Sequence, residues 1–539
     1  MSATYEIDLR KFGTDDYETL YKSFRWDIPE YFNMGEAISR NKTGTAIIYR
    51  DDEGNKSELT YSELDKLSNQ VANFLTELGV KKGEPVGVMM GPRPETAAAI
   101  VGIYKMGGIA LSMTPLFGID SANYRLQHSG AKVLFTDRED IIKELKAQTI
   151  IGLTKGNYTF GDIKRGSSPA FTPVRTKANE PAHMLYTSGT TGLPKGVLLS
   201  HAAVLAHIPW YQIVFDIAPK EGDVFSQLAD WGWIAGILDV VMPSLYFGMP
   251  MVAYNRGGRL DARRVMEVLE DTRATCFFAP PTALNIIMKS VNPKDYDLKL
   301  RVLASGGSAV TYDLIKWSKE VLGAPLNVGY GQTEANVLTG TNSKIIPYKI
   351  LEEKGGGNLL GKPIPGHVVE IVNENLSVLP PNQVGEIAVK LPDPIVMIEY
   401  YKNPEATAKK IRGGYLLTGD VGWKDEYGYI WFKSRSDFLI KSSGYRIGPE
   451  EIEFVINQHP AVLESAVIGK EDPVRGEIIK AFIVLKQGYE PSEKLKQEII
   501  DLVKTRLATY AYPKEIEFVK EIPKTESGKI RRAELKKKI

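Results

Sequence analysis

The amino-acid sequence predicts an α/β fold (α+β overall), with a large N-terminal domain of β-sheets packed with helices and a small C-terminal α+β domain. The chain has 539 residues, which is too long for one ordinary hydrophobic core. Helical and extended patterns alternate along it, as in parallel sheets covered by helices. A shorter alternation occupies roughly the last hundred residues, a natural size for a domain. We therefore predict two domains, residues 1–434 and 435–539.

The first predicted elements lie between residues 60 and 136. Thr60 and Glu63 form a capping-box pattern at the start of a helix. The apolar residues that follow share one helical face, and Gly79 is suited to end the helix. A strand over 85–90, a helix over 97–106 and a strand over 133–136 follow in order. The apolar face consists of Leu64, Leu67, Val71, Leu75 and Leu78.

The predicted small domain repeats this alternation. Helical patterns appear in EEIEFVINQ and SEKLKQEIIDLVKTRL. Extended patterns appear in SAVIG, KAFIVL and EIEFV.

Composition excludes several classes of function. Lys and Arg total 67 against 66 Asp and Glu, so the net charge of +1 disfavours a nucleic-acid partner. The single cysteine, Cys276, suits a buried packing role in a reducing compartment. The charged N-terminal segment shows no secretory signal, which predicts a cytoplasmic protein. The apolar stretches 97–119 and 232–254 contain Lys105 and Asp239 as well as Gly and Pro, so we predict buried segments and no membrane span.

The segment LYTSGTTGLPKGVLLSH, from Leu185 to His201, carries the first chemical signal. Glycines allow backbone amides to turn toward an anion, and hydroxyls and a lysine add donors to phosphate oxygens. The segment lacks the GxxxxGK[ST] pattern of P-loop ATPases. A flexible surface loop is the alternative for such a composition. The candidate phosphate-binding residues are Thr187, Ser188, Gly189, Thr190, Thr191, Gly192 and Lys195.

Four further motifs follow in order: YGQTE at 330–334, YLLTGDVGW at 415–423, FKSRSDFLIKSSGYRIGPEEIE at 432–453 and PKTESGKIRR at 523–532. Together with TSGTTGLPKG they resemble the signature of the adenylate-forming superfamily, which includes acyl-CoA synthetases, peptide-synthetase adenylation domains and luciferase. The spelling is most similar to medium-chain acyl-CoA synthetases. The resemblance implies ATP, Mg²⁺, coenzyme A and a small carboxylic acid as ligands.

The resemblance also assigns the nucleotide site. It implies that Glu334 is the residue for Mg²⁺, which prefers oxygen ligands and bridges nucleotide phosphates. Asp420 matches the carboxylate that binds the ribose hydroxyls, and Arg435 matches the arginine that assists it. The catalytic residues are then Lys195, Thr333, Glu334 and Lys529. The remaining ATP-binding residues are Ser308, Ala309, Gly329, Tyr330, Gly331, Gln332 and Thr333.

The predicted small domain carries the residues of both half-reactions. Lys529 matches the lysine that contacts the substrate carboxylate and the α-phosphate. Asp437 matches the hinge about which the mobile domain rotates, although Phe438 stands where many relatives have a second aspartate. The CoA channel is assigned to Ser443, Gly444, Tyr445 and Arg446, with Arg475 at the nucleotide end of CoA. A plain surface charge is the alternative for Arg475.

The acyl pocket is assigned to an apolar wall and two glycines. Acetyl-CoA synthetases carry tryptophan where this chain has Gly331, and a branched residue where it has Gly306. We therefore expect room for an acid larger than acetate, including a hydroxy acid such as 4-hydroxybutyrate. Trp233, Ile234 and Ala235 form the wall by similarity.

Several alternatives stay open from sequence. They are an acetyl- or propionyl-CoA synthetase, an aryl-acid CoA ligase, a luciferase-like adenylating oxidoreductase, a peptide-synthetase adenylation domain and a non-catalytic sensor. The resemblance also raises a homodimer and acetylation of Lys529, neither of which the residues decide.

Overall fold

A computed structural model describes residues 7–187, 193–258, 260–347, 358–435, 438–442, 445–472, 476–506, 511–524 and 529–539. The chain divides into two compact units. The larger unit comprises Met1–Ser188, Pro194–Val369 and Val389–Leu416, and the smaller comprises Gly189–Leu193, Glu370–Ala388 and Leu417–Ile539. The predicted domain boundary at residues 434 and 435 stays a prediction.

Twenty-seven β-strands are found in the described ranges. In chain order they are β1 Thr45–Asp51, β2 Lys56–Thr60, β3 Pro85–Met89, β4 Ile109–Met113, β5 Val133–Thr136, β6 Thr149–Gly152, β7 Tyr158–Thr159, β8 Pro181–Thr187, β9 Lys195–Ser200, β10 Phe225–Gln227, β11 Met251–Asn255, β12 Cys276–Phe278, β13 Val302–Gly306, β14 Leu326–Gln332, β15 Ala335–Gly340, β16 Leu359–Pro363, β17 Val369–Val372, β18 Gly385–Lys390, β19 Glu399–Tyr400, β20 Ile411–Arg412, β21 Tyr415–Lys424, β22 Ile430–Arg435, β23 Ile440–Ser442, β24 Tyr445–Ile447, β25 Val462–Asp472, β26 Gly476–Leu485 and β27 Glu515–Phe518.

The α-helices of the described ranges alternate with these strands. They are Tyr17–Ser23, Met34–Ser39, Tyr61–Glu77, Pro94–Lys105, Ile119–Ser129, Phe160–Gly166, Ala203–Val214, Ile234–Gly236, Met242–Tyr246, Ala262–Asp271, Pro281–Ser290, Tyr312–Trp317, Pro404–Lys410, Pro449–Ile456, Glu493–Arg506 and Arg532–Lys536. Two π-helical turns, Ile237–Val241 and Ser318–Leu322, continue helices of the larger unit. Short 3-10 turns occur at Leu9–Phe12, Ile142–Glu144 and Pro293–Asp295.

Two sheets form the larger unit. One has the strand order β16-β15-β14-β13-β12-β10-β11-β1-β2, and its strands from β14 to β1 are parallel. The other has the order β19-β9-β8-β4-β3-β5-β6-β7, and its strands from β8 to β7 are parallel. The predicted α/β class is therefore confirmed. In such sheets ligands bind beyond the carboxyl ends of the parallel strands.

In the smaller unit, β24, β23, β26 and β25 lie side by side and β27 pairs with β26. Its core is built by apolar residues from the strands and from helices Pro449–Ile456 and Glu493–Arg506. Ile452, Val467, Ile479 and Ile499 are almost completely buried there. This arrangement has the α+β character predicted for the C-terminal part.

The predicted elements near the N-terminus are confirmed. The helix Tyr61–Glu77 begins with the Thr60–Glu63 capping box, and Gly79 just beyond its end has a φ of +82°. The left-handed backbone at Gly79 is one that glycine adopts without steric cost. The predicted strand over 133–136 is β5, and the strand over 85–90 is β3.

The two apolar stretches are buried helices and strands, as predicted. Lys105 ends the helix Pro94–Lys105 and is neutralised by Asp65, whose Oδ1 lies 2.7 Å from Lys105 Nζ. None of the helices in the described ranges has the length and apolar character needed to cross a membrane. Cys276 is buried in β12, and burial raises the pKa of its thiol.

Candidate active site

The predicted phosphate-binding segment begins and ends in two antiparallel strands. Thr187 ends β8 and Lys195 begins β9, and the two residues are paired across the ladder. Both are partly accessible. Ser188, Gly189, Thr190, Thr191 and Gly192 lie outside the described residues. The structure thus brings the two ends of the predicted segment together.

Glu334 lies at a tight turn between β14 and β15. Gln332 pairs with Ala335, so Thr333 and Glu334 are the two turn residues. The Glu334 side chain is 9% exposed and accepts a hydrogen bond of 2.6 Å from the hydroxyl of Tyr400. The backbone N–H of Met397 donates to the Glu334 carbonyl at 2.8 Å. These contacts hold the carboxylate in one orientation.

Lys195 approaches the same tyrosine from another strand. Its Nζ lies 4.6 Å from the centroid of the Tyr400 ring. Tyr400 belongs to β19, which pairs with β9. Two residues from separate predicted motifs therefore contact one aromatic side chain, Glu334 at its hydroxyl and Lys195 at its ring.

The predicted adenine segment lies at the same edge of the sheet as the YGQTE segment. Gly306 at the end of β13 is paired with Gly329 in the parallel strand β14. Ser308 and Ala309 follow and are exposed. Tyr330 continues from Gly329 in β14 and is partly accessible. Both segments thus leave their strands at carboxyl ends, where nucleotides bind in such folds.

In the smaller unit, Asp420 and Arg435 form an ion pair. They are paired across the antiparallel strands β21 and β22, with Arg435 Nε 3.2 Å from Asp420 Oδ1. Asp420 is 5% exposed, whereas the Arg435 side chain is 40% exposed. A buried carboxylate paired with a more accessible arginine suits recognition of a diol at the surface.

Lys529 belongs to the smaller unit and is exposed. Its neighbour Ile530 forms an isolated antiparallel bridge with Lys524. Arg532, just beyond, donates two hydrogen bonds of 2.7 Å to the Glu453 carboxylate. The segment that carries Lys529 is therefore anchored to the helix Pro449–Ile456.

Of the predicted hinge and CoA-binding residues, only Tyr445 and Arg446 belong to the described residues. Asp437, Ser443, Gly444 and Arg475 lie outside the described residues. Tyr445 and Arg446 belong to β24, which pairs with β23. Ser442 in β23 pairs with Gly476 in β26. The strands that lead to the two predicted CoA segments are therefore neighbours.

The predicted acyl wall begins a helix of the larger unit. Trp233 precedes the helix Ile234–Gly236 and contacts Phe117 edge to face, with ring centroids 5.9 Å apart. Ile234 is buried, whereas Ala235 and Trp233 are half-buried. A partly accessible apolar surface of this kind is suited to an alkyl chain.

The reason we gave for the two glycines of the acyl pocket needs correction. A Cβ atom at Gly331 would overlap the backbone of β15, 2.7 Å from the carbonyl carbon of Asn336. A Cβ atom at Gly306 would lie 2.6 Å from the carbonyl oxygen of Gly329. Both glycines therefore permit close approach of neighbouring strands, and neither opens directly on free space. Their role in acyl binding stays a prediction.

Gly331→Trp is consequently expected to act on stability. Overpacking a rigid backbone contact costs about 3 kcal/mol or more, so activity should fall for acids of every length. Thermal unfolding and the ratio of kcat/KM for C2 and C6 acids would measure this. Gly166→Trp is the control, because a Cβ atom at Gly166 meets nothing within 4 Å. A stable Gly331→Trp variant that merely prefers short acids would contradict the correction.

Asp239, Asn336 and His207 form a buried polar cluster that the sequence did not predict. Asp239 lies in the π-helical turn Ile237–Val241 and accepts a short hydrogen bond from the Asn336 side-chain amide. His207 Nε2 lies 3.5 Å from the Asp239 carboxyl. Burial raises the pKa of Asp239 well above its usual range and lowers the pKa of His207 to about 4. Burial therefore disfavours the charged form of each of these two groups. The one sequence signal was an acidic residue inside an apolar stretch.

The residues present fit a magnesium ion. Among the described residues no group of three or more histidine, cysteine or acidic side chains is able to hold a metal ion. Glu334 offers a single oriented carboxylate, which suits an ion that takes its other ligands from phosphates and water. The parallel sheets and these residue clusters suit an enzyme that binds a nucleotide.

Comparison with known proteins gives the family. The sequence pattern described as AMP-binding enzyme matches residues 36–401, and that described as AMP-binding enzyme C-terminal domain matches residues 451–529. The chain therefore belongs to the AMP-binding enzyme family. The predicted superfamily is confirmed.

Similar proteins cover the chain nearly end to end. The mitochondrial acyl-coenzyme A synthetase ACSM3 of Rattus norvegicus is 34% identical, over 97% of this chain and 93% of the relative. The 4-hydroxybutyrate–CoA ligase 1 of Metallosphaera sedula is 34% identical, over 96% of this chain and 91% of the relative. The crystal structure of Brucella canis acyl-CoA synthetase has a TM-score of 0.74 at 29% identity and covers 97% of this chain and 99% of that one. The predicted acid–thiol ligase class is confirmed.

Proposed function

We propose that the protein is an AMP-forming acyl-CoA synthetase acting on a carboxylic acid larger than acetate. It converts the acid, ATP and CoA into acyl-CoA, AMP and pyrophosphate through an acyl adenylate. The observation that carries the proposal is the meeting of Lys195 and Glu334 at Tyr400. Their contact with one tyrosine supports the proposal that a phosphate-binding cation and a metal-binding carboxylate from different motifs serve one nucleotide site.

In the first half-reaction the substrate carboxylate attacks the α-phosphorus of ATP. A new P–O bond forms between the carboxylate and the α-phosphorus. The bond between the α-phosphorus and the oxygen bridging to the β-phosphorus breaks, and pyrophosphate leaves with the electron pair. Lys529 neutralises charge on the reacting oxygens, and Lys195 binds phosphate oxygens. Asp420 and Arg435 hold the ribose. Glu334 would hold Mg²⁺, which would neutralise charge on the phosphates when bound.

In the second half-reaction the CoA thiol attacks the carbonyl carbon of the adenylate. The C–S bond forms, the C–O bond to phosphate breaks, AMP leaves, and the thiol proton passes to solvent. Residues 443–446 line the pantetheine path, and Arg475 contacts the nucleotide end of CoA. The domain 435–539 turns about Asp437 between the two steps.

The acid is the least constrained ligand. The half-buried wall of Trp233 and Ala235 supports an alkyl chain of short to medium length. The relatives differ in substrate at equal identity, since an acyl-coenzyme A synthetase and a 4-hydroxybutyrate–CoA ligase both share 34% of residues with this chain. A hydroxy acid therefore belongs in any substrate test.

Pyrophosphate release over straight-chain C2 to C10 acids, 4-hydroxybutyrate and benzoate, with and without CoA, tests the proposal. We expect the highest kcat/KM for an acid longer than acetate, and acyl-CoA formation only when CoA is present. A clear preference for acetate would contradict the proposed acid class. Oxygen-dependent turnover of the adenylate would favour the oxidoreductase alternative instead.

Three expectations accompany the proposal. A cytoplasmic location agrees with the single buried cysteine. Acetylation of Lys529 would remove the charge on which adenylation depends, and the exposed position of Lys529 gives an acetylating enzyme access. A homodimer stays a prediction.

A further inference from the structure

The segment that carries Tyr400 is hydrogen-bonded both to β9, which begins at Lys195, and to Glu334. Ile398 N–H donates to the Leu198 carbonyl at 2.8 Å, and Tyr401 N–H donates to the Gly196 carbonyl at 2.7 Å. These bonds fix the segment beside the strand that begins at Lys195. The two bonds to β9 and the bond from Met397 to Glu334 together restrict the backbone on both sides of Tyr400.

The hydroxyl of Tyr400 orients one carboxylate oxygen. Tyr400 is 3% exposed and Glu334 is 9% exposed, so their 2.6 Å hydrogen bond is shielded from water. A hydrogen bond to an ionised carboxylate is short and strong, and it fixes the plane of the group. The hydroxyl uses Oε1 of Glu334, so a metal ion can take Oε2.

The ring of Tyr400 holds the lysine. A cation 4.6 Å from a ring centroid is attracted to the aromatic face, and most strongly where water is excluded. Within the described ranges no ion pair joins Lys195 to Glu334. Without the ring, the flexible lysine would be drawn to the nearby carboxylate. Each group would then have to be released before it bound phosphate or metal.

We propose that Tyr400 is a positioning residue that keeps the phosphate-binding lysine and the metal-binding carboxylate apart and ready for nucleotide. Its hydroxyl aims Glu334, and its ring holds Lys195. The inference rests on the proposed function, because it takes Lys195 and Glu334 to serve ATP.

Two substitutions separate the hydroxyl from the ring. Tyr400→Phe removes only the hydroxyl, whereas Tyr400→Leu removes both parts. Tyr401→Phe is the matched control, because the Tyr401 hydroxyl donates to the Ser129 carbonyl at 3.1 Å and does not contact Glu334 in the structure. Binding of α,β-methylene-ATP is measured by calorimetry, over a range of Mg²⁺ concentrations and in EDTA.

We expect Tyr400→Phe to raise the Mg²⁺ concentration for half-maximal analogue binding about tenfold, the scale of losing a hydrogen bond to a charged group. In EDTA its affinity should match the wild type. Tyr400→Leu should show the same Mg²⁺ shift and also bind the analogue several-fold more weakly in EDTA. Adding Glu334→Gln to Tyr400→Leu should restore EDTA affinity to that of Glu334→Gln alone, because the lysine no longer has a carboxylate to pair with.

Unchanged Mg²⁺ dependence in Tyr400→Phe would overturn the role of the hydroxyl. Equal EDTA affinities of Tyr400→Leu and Tyr400→Phe would overturn the role of the ring. A matching Mg²⁺ shift in Tyr401→Phe would show a general packing effect and overturn both. The failure of the proposed function is distinguishable, since it would appear as wild-type protein that binds the analogue but releases no pyrophosphate with any acid.

Discussion

Lys529→Ala is expected to lower the rate of adenylate formation about a hundredfold or more, the scale of losing one preorganised charge partner of the transition state. Thioester formation from supplied acyl adenylate should stay near the wild-type rate. The reason is that Lys529 acts on the carboxylate and α-phosphate oxygens, whose charge changes in the first step. Single-turnover assays of each half-reaction would measure the two rates separately.

Lys537→Ala is the control for Lys529→Ala. Lys537 is an exposed lysine of the same basic tail, so its removal changes net charge equally. We expect both half-reactions of the control to be unchanged. Equal loss in both half-reactions of Lys529→Ala would contradict the assignment. Full adenylation activity would contradict it as well.

Asp437→Pro is expected to allow adenylation but to slow CoA transfer at least tenfold, so that acyl adenylate accumulates. Proline fixes one of the two backbone torsions that a hinge must change. Asp437 lies outside the described residues. Beyond it, the Phe438 ring lies 5.3 Å from the Arg532 guanidinium, which joins the start of the smaller domain to the segment after Lys529.

Asp437→Ala serves as the control, because alanine removes the carboxylate and keeps both torsions free. Its CoA transfer should remain close to the wild-type rate. Quenched-flow measurement of enzyme-bound adenylate and acyl-CoA compares the two variants. Normal thioester formation by Asp437→Pro would remove the hinge from this position. Loss of transfer in both variants would assign the effect to the carboxylate.

Local patterns predicted much of the fold. A capping box predicts the start of the helix Tyr61–Glu77, and a short apolar run predicts the strand Val133–Thr136. Both signals lie in residues close together in the sequence. The π-helical turn at Ile237–Val241 has no such signal. Motif spelling also predicted that Thr187, Lys195 and Glu334 belong to a nucleotide site, and their strand pairing places Thr187 opposite Lys195.

Contacts between distant segments were beyond the sequence. Tyr400 reaches Glu334 because β19 pairs with β9 and Met397 binds the Glu334 carbonyl, and no pattern around Tyr400 indicates these contacts. The reason for Gly331 was wrong because what a Cβ atom at that position would meet depends on the neighbouring strand β15, which the sequence did not reveal. Asp239 looked like a charge in a buried helix, and its partners come from elements far away in the chain.

The central claim is that a carboxylate attacks the α-phosphorus of ATP and that the acyl group then passes to CoA. It is tested most directly with a C6 acid labelled with ¹⁸O at both carboxyl oxygens, incubated with the protein, ATP, Mg²⁺ and CoA. Mass spectrometry of the products should show one ¹⁸O in AMP, one in the acyl-CoA carbonyl, and equal amounts of AMP and acyl-CoA. Unlabelled AMP, or ADP as the nucleotide product, would contradict an acyl adenylate intermediate.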